Sequence, residues 1–384
     1  MKPGEQLELT DGVTAIVRAA LEAGCNFFAG YPITPASGIL AQMIRELPPR
    51  GGVAVQGEDE IASIGMCIGA ALGGARCLTA TSGPGLSLYS ENLGLAVMGE
   101  VPLVIVDVQR AGPATGGATT VGQGDVQFAR WGTSGGYPVI ALSPSSVPES
   151  HALTLRAFAL AERYRVPVLL LTDKELALTQ TAVAASEYAE AAPLASIAAA
   201  DPAPAPEHPP EAYRPYRYDP PGAVPALVPI GGEARVRFTG SSHDERGFLT
   251  KDPRQVGALN RHLSEKIDAH QDAIALVRAD LQPEARTLAV SYGVTAGAMR
   301  EAVRSARLEG RRVSALTLLT LWPVPERAIR DALAGVERVV VAELNLGEYR
   351  REIERIAGSG VLVTGVQRVD GEQIAPEEIA AKFL

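Results

Sequence analysis

The chain is 384 residues long, 46% hydrophobic and 21% charged, with a formal net charge of -9 spread over interspersed acids and bases. That length buries one large core or two ordinary ones, and an acidic balance without basic blocks argues against nucleic acid or an anionic membrane as the main partner. No apolar run approaches the roughly 20 residues that span a bilayer and the N-terminus carries no apolar leader, so a soluble cytoplasmic protein is expected.

From residue 11 onward, helical periodicity alternates with short apolar runs, the signature of βα units around a parallel sheet. The first helix is predicted over 11–24, capped by Asp11 and stopped by Gly24, and the strand after it over 25–29. Helices follow over 35–47, 60–72, 86–98 and near 147–164, with strands over 52–56, 77–81, 102–108 and 167–171. Residues 189–229 are rich in Ala and Pro, including Pro209-Pro210 and Pro220-Pro221, which is linker composition. Past one helix over 254–271, a second α/β set is predicted: strands over 287–291, 312–316, 338–343 and 361–364, and helices over 295–308, 325–333 and 348–356. The expected organisation is therefore a first domain at 1–188, a linker at 189–230, a connecting segment at 231–280 and a second domain at 281–384.

Ligands of open parallel sheets bind beyond the carboxyl ends of the strands. Four stretches lie there: Tyr31-Pro32-Ile33-Thr34-Pro35, Glu58-Asp59-Glu60, Thr81-Ser82-Gly83-Pro84-Gly85 and Gln109-Arg110. Each has a plain structural reading beside a functional one. Thr34 before Pro35 suits a helix N-cap as well as a hydroxyl fixed towards the crevice. Acids at 58–60 are favoured at any helix N-terminus. Arg110 at a strand end is suited to a carboxylate, or to a surface ion pair. The turn at 81–85 allows close approach to a flat ring or a phosphate, although no GxxxxGK[ST] and no GxGxxG after a strand accompanies it. The Gly- and Thr-rich loop 111–124 belongs near a cofactor or a subunit interface. His243, beside Asp244 and Glu245, reads as a solvated loop residue rather than a metal ligand. Cys25, Cys67 and Cys77 match no zinc or cluster spacing, so no metal is expected on this chain.

The stretches YPITP, TSGPG, QRxGPxTG, GQGDVQFARWG, PVLLLTD, SYG, TLWPVP and VVVAELNLGEY together resemble the alpha subunit of the 2-oxoacid:ferredoxin oxidoreductases. The resemblance covers most of the chain outside the linker. It implies a thiamine diphosphate-binding α/β fold, with a pyrimidine-binding domain first and a transketolase C-terminal-like domain second. It also implies that Glu60, nine residues before Gly69, is the acid that activates the cofactor through N1′ of the aminopyrimidine, with Glu58 as second choice. Tyr31, Pro32, Ile33, Ser82 and Gly83 would surround the cofactor, and Thr34 and Arg110 would hold the substrate. The chain contains no Gly-Asp-Gly, so Mg²⁺ and the diphosphate half of the site, like the [4Fe–4S] cluster, are expected on a beta subunit in an (αβ)₂ assembly. The implied reaction is decarboxylation of a 2-oxo acid with coenzyme A and reduction of ferredoxin, or its reverse. The loop 118–138 looks most similar to 2-oxoglutarate enzymes; pyruvate and branched-chain 2-oxo acids are the alternatives, as are an E1-like dehydrogenase half and a scaffold subunit without chemistry.

Overall fold

The computed structural model describes residues 5–197, 213–218, 223–232 and 234–383. Its strands are β1 (Leu7–Thr10), β2 (Phe27–Gly30), β3 (Val53–Gln56), β4 (Cys77–Thr81), β5 (Leu103–Gln109), β6 (Ile140–Leu142), β7 (Pro167–Asp173), β8 (Thr181–Ala184), β9 (Val277–Asp280), β10 (Thr287–Ser291), β11 (Val313–Leu318), β12 (Thr320–Trp322), β13 (Arg338–Glu343) and β14 (Leu362–Gln367). They form a seven-stranded sheet ordered β12-β6-β7-β5-β4-β2-β3, a five-stranded sheet ordered β14-β13-β10-β11-β9, and a small β1-β8 pair.

Strand period dictates the layering. In β5, Leu103 and Ile105 face one core while Val104, Val106 and Val108 face another, so both sides of the first sheet are covered. Helix Ser37–Glu46 packs on one side through Ile39, Leu40 and Met43; helix Glu60–Leu72 packs on the other through Ile64, Cys67 and Ile68. Its core continues without a break into Leu288, Val290, Val339 and Val341 of the second sheet. The strand order reverses around β2, which has β3 on one side and β4 on the other, and crevices open at such points.

The helices predicted over 60–72, 147–164 and 295–308 and the strands over 77–81, 287–291 and 338–343 occur with those bounds. Other elements differ for local reasons. The helix expected over 35–47 starts at Ser37 behind a turn, so Thr34 is not its cap; Ala36 stands there without a side-chain bond. The helix expected over 86–98 is two helices, Gly83–Leu88 and Ser90–Met98, meeting at Tyr89. The short β6 and β12 lay below the length at which periodicity is legible, and β12, carried by TLWPVP, crosses over to pair antiparallel with β6 of the first sheet. Within the Ala/Pro-rich segment, Pro209-Pro210 and Pro220-Pro221 lie outside the described residues. His243 was expected in solvent. It is only 2% exposed, with Nδ1 hydrogen-bonded to the Ser241 carbonyl and its ring 4.0 Å from that of Tyr216.

A buried polar knot ties the connecting segment to the first sheet. The Glu100 carboxylate accepts hydrogen bonds from Tyr218 Oη at 2.6 Å, His262 Nε2 at 3.0 Å and Lys266 Nζ at 2.9 Å. His262 and Lys266 are one turn apart on helix Pro253–Asp268, so a single acid holds that helix. Burial works to raise the Glu100 carboxyl, but Lys266, His262 and Arg165 outweigh it and hold the group well below its ordinary 4.5. The stability it contributes is therefore present above the unfolded-state value and lost as pH falls through the lower folded one. Lys266→Met would leave the buried carboxylate uncompensated and is expected to lower unfolding free energy in urea by about 3–5 kcal/mol at neutral pH. Adding Glu100→Gln should restore much of the loss; a double variant as unstable as the single one would contradict this account.

Candidate active site

The three acids after β3 part company in the fold. Glu58 is exposed, and Asp59 caps helix Glu60–Leu72 by accepting from the Ala62 amide at 2.7 Å. Glu60, the next residue, turns inward and is 6% exposed. Among the described residues its carboxylate makes no hydrogen bond and no ion pair. It lies against Gly85: a Cβ built there would meet Glu60 Cγ at 2.7 Å and Oε1 at 2.8 Å, so the turn after β4 needs glycine to receive this side chain. Ser82 is fully buried with its hydroxyl unpartnered, and Gly83 and Pro84 are half-buried.

Arg110, 7% exposed, leaves the end of β5 and donates through Nη1 to the Thr34 carbonyl, tying the first and fourth of these stretches together. Its Nε is buried without a partner. Tyr31, Pro32 and Thr34 are exposed on the rim and Ile33 is half-buried against the core beneath. A cleft of about 520 Å³ opens between Gly83, Arg110 and Asp125 on the first sheet's side and Leu344, Asn345 and Glu348 on the second's. The fold thus brings Glu60, Ser82, Gly83 and Arg110 around one turn, while Tyr31, Pro32 and Thr34 border the site from outside the cleft lining.

Three acids of this region escaped the sequence reading. Asp107, in the middle of β5, is completely buried, and neither carboxylate oxygen has a hydrogen-bond partner. Strand period puts it on the Leu103 and Ile105 side, towards the second sheet. A charged residue inside LVIVDVQ was the available signal. Asp125 sits beside it, Oδ2 buried and unpartnered, and Oδ1 3.0 Å from a Cβ built at Gly83. Burial and then the Asp125 charge push the Asp107 carboxyl well above the usual range, against Arg110. Burial raises Asp125 to about 6. Glu348 is likewise raised by burial, to about 7, although its Oε2 accepts from the Gln127 amide at 3.0 Å.

Gln123, inside the GQGD stretch, locks the two sides of the cleft. Its Nε2 donates to Asp173 Oδ2 at 3.3 Å and to the Tyr292 carbonyl at 3.2 Å; its Oε1 accepts from Thr295 Oγ1 at 3.0 Å and the Leu344 amide at 3.1 Å. The Asn345 side-chain amide adds a bond to the Gln123 carbonyl at 2.7 Å.

A sequence profile described as pyruvate flavodoxin/ferredoxin oxidoreductase, thiamine diP-bdg matches residues 18–259, and one described as pyruvate:ferredoxin oxidoreductase core domain II matches residues 285–379. The chain is 42% identical to the 2-oxoglutarate synthase subunit KorA of Methanothermobacter marburgensis, covering 97% of each. It is 36% identical to the ketoisovalerate oxidoreductase subunit VorB of Methanothermobacter thermautotrophicus, covering 98% of this chain and 97% of that one. A solved 2-oxoglutarate:ferredoxin oxidoreductase from Magnetococcus marinus, described with 2-oxoglutarate, coenzyme A and succinyl-CoA bound, superposes with a TM-score of 0.90 at 30% identity. That match takes in 99% of this chain and 65% of the solved one. A split-gene transketolase shares the fold alone, with a TM-score of 0.54 at 12% identity.

The buried acids carry a pH signature. A carboxyl whose folded value is raised contributes stability that is full below the unfolded value near 3.8 and lost as pH rises through the folded value, about 6 for Asp125. Asp107→Asn removes one acid of the pair without changing shape, so its Tm should exceed that of the wild type at about pH 8 and match it at about pH 4. Equal offsets at both pH values in a thermal melt would refute the electrostatic cause.

Proposed function

The chain belongs to the pyruvate flavodoxin/ferredoxin oxidoreductase family, as a subunit of a thiamine diphosphate-dependent 2-oxoacid:ferredoxin oxidoreductase, and on that premise we propose that it supplies the acid and the anion-binding arginine of a 2-oxoglutarate-oxidising site completed by a beta subunit. The observation that carries the reading is Glu60: a nearly buried carboxylate with no partner in the described chain, seated on a glycine that only a bare backbone could provide. Bound thiamine diphosphate supplies a thiazolium nucleophile and an electron sink for decarboxylation. Glu60 would hold a proton against N1′ of the aminopyrimidine, with Ser82 and Gly83 beside the ring and Tyr31, Pro32 and Ile33 at its edge. Arg110 would bind the carboxylate of the 2-oxo acid and Thr34 would border it. The low dielectric around Glu60 strengthens each of these contacts.

The assignment of Mg²⁺ to the beta subunit is supported by the lack of a Gly-Asp-Gly in this sequence, and that of the [4Fe–4S] cluster by the chemistry of its cysteines. Burial raises the Cys25 thiol to about 12 and pushes Cys67 and Cys77 higher still, which makes all three poor ligands. Apolar side chains at the site, Tyr31, Ile61 and Leu88, are 37%, 49% and 47% exposed, a surface suited to a second polypeptide carrying the rest of the cofactor site. Among the described residues no helix is long and apolar enough to cross a membrane. Coenzyme A as acyl acceptor, ferredoxin as electron acceptor and 2-oxoglutarate in preference to pyruvate or 2-oxoisovalerate are part of the proposal, supported by the names of several relatives and by the loop 118–138, and the (αβ)₂ assembly is what the family resemblance implies.

Co-expression with the beta subunit and assay of viologen reduction with coenzyme A and each of three 2-oxo acids tests the proposal, with 2-oxoglutarate expected to be the preferred substrate. No turnover with any of them would end it. Glu60→Gln should lower kcat by about 10²–10⁴-fold with the complex intact. Arg110→Lys should act mainly on KM, raising it by roughly tenfold or more, the worth of a charged hydrogen bond.

A further inference from the structure

Two carboxyl groups at the cleft, Asp125 in its lining and Asp107 buried behind it, have no task in the reaction outlined above. Asp107 and Asp125 come from different segments, the middle of β5 and the loop before helix Val126–Trp131. The Asp125 amide donates to the Gln109 side chain at 3.2 Å, two residues along β5 from Asp107 and on the same strand face, which sets the two acids side by side behind the Gly83 turn. Three of their four oxygens are buried with no hydrogen-bond partner, and so is Arg110 Nε on the same strand end. Two acids this close in a dry site cannot both ionise without a heavy cost, whereas a monoanionic pair neutralises one guanidinium.

We propose that Asp107 and Asp125 share a single proton as one carboxyl pair, and that this pair positions Arg110 for the anionic end of the substrate. The inference rests on the functional reading of Arg110 given above. With one proton held, the trio of two acids and one arginine is neutral in sum. The guanidinium then remains tied to the Thr34 carbonyl, with its other nitrogen free for a ligand in the cleft. With no proton, the trio carries a net negative charge, Arg110 is drawn back onto the acids, and an incoming carboxylate is repelled. The other charged groups near the pair act in the same sense. Glu348 faces Asp125 from the second sheet's side of the cleft, and Glu60 lies on the far side of the turn against Gly85. Asp107 and Asp125 are thus positioning residues, acting on substrate only through Arg110.

Infrared spectra of the full-length chain at neutral pH test the shared proton without reference to activity. Variant-minus-wild-type difference spectra, in which the bands of other protonated carboxyls such as Glu348 cancel, should show loss of the same protonated-carboxyl carbonyl stretch for Asp107→Asn and for Asp125→Asn. No lost band, or a loss in only one of the two variants, overturns the pair. The positioning role is read by calorimetric binding of 2-oxoglutarate to the complex with its beta subunit across the neutral range. Wild-type affinity should fall about tenfold per pH unit once the pair loses its proton, while Asp107→Asn should level that slope. An unaltered slope in Asp107→Asn, with its thermal melt intact, overturns the role. A complex that binds no 2-oxo acid at any pH counts against the functional reading, and the infrared result still decides whether the proton is shared.

Discussion

The cleft exists because one buried carboxamide, that of Gln123, satisfies both of its donors and both of its acceptor positions across the two sheets. It joins the end of β7 at Asp173, the turn after β10 at Tyr292, the start of helix Thr295–Leu308 and the end of β13 at Leu344. All four bonds require one orientation of the amide, so the network fixes a register as well as a contact. Gly293, at φ +57, belongs to the same device: a Cβ there would come within 2.3 Å of Gln123 Nε2. Where a core is continuous across two sheets, apolar packing alone tolerates sliding. A polar lock decides which loops face each other.

Charge is treated in two opposite ways on either side of that lock. Around Glu100 the buried carboxylate meets the Lys266 ammonium and accepts three hydrogen bonds, and is held ionised. Around the cleft, Asp107, Asp125 and Glu348 are pushed towards their neutral forms, and Glu60 has no partner at all within the described chain. Fully satisfied networks anchor structure, and under-satisfied ones mark places where a protein holds electrostatic strain for use. The difference separates a structural knot from the candidate site within one chain.

Much of this was legible in the residues. Apolar periods located the long helices and central strands, because a buried strand and an amphipathic helix print their burial on the sequence directly. Glu60, Ser82, Gly83 and Arg110 could be placed close together because strand ends are recognisable and the loops there converge. Thr34 follows β2 as the sequence indicates, but the helix cap that was its plain structural reading does not form, since the chain makes a turn through Ala36 before the helix starts. The short β12 was illegible because three residues hold too little period, and its partner β6 lies far away in sequence.

The sequence by itself determined the alternation of elements and the family motifs, since these depend on neighbours along the chain. Only the tertiary structure decided that Glu58 is exposed, Asp59 caps and Glu60 is buried, that His243 is internal, and that Asp107 and Asp125 lie side by side. Those outcomes depend on which distant backbone shuts out water around each group, and burial is a property of the assembled chain rather than of any local stretch.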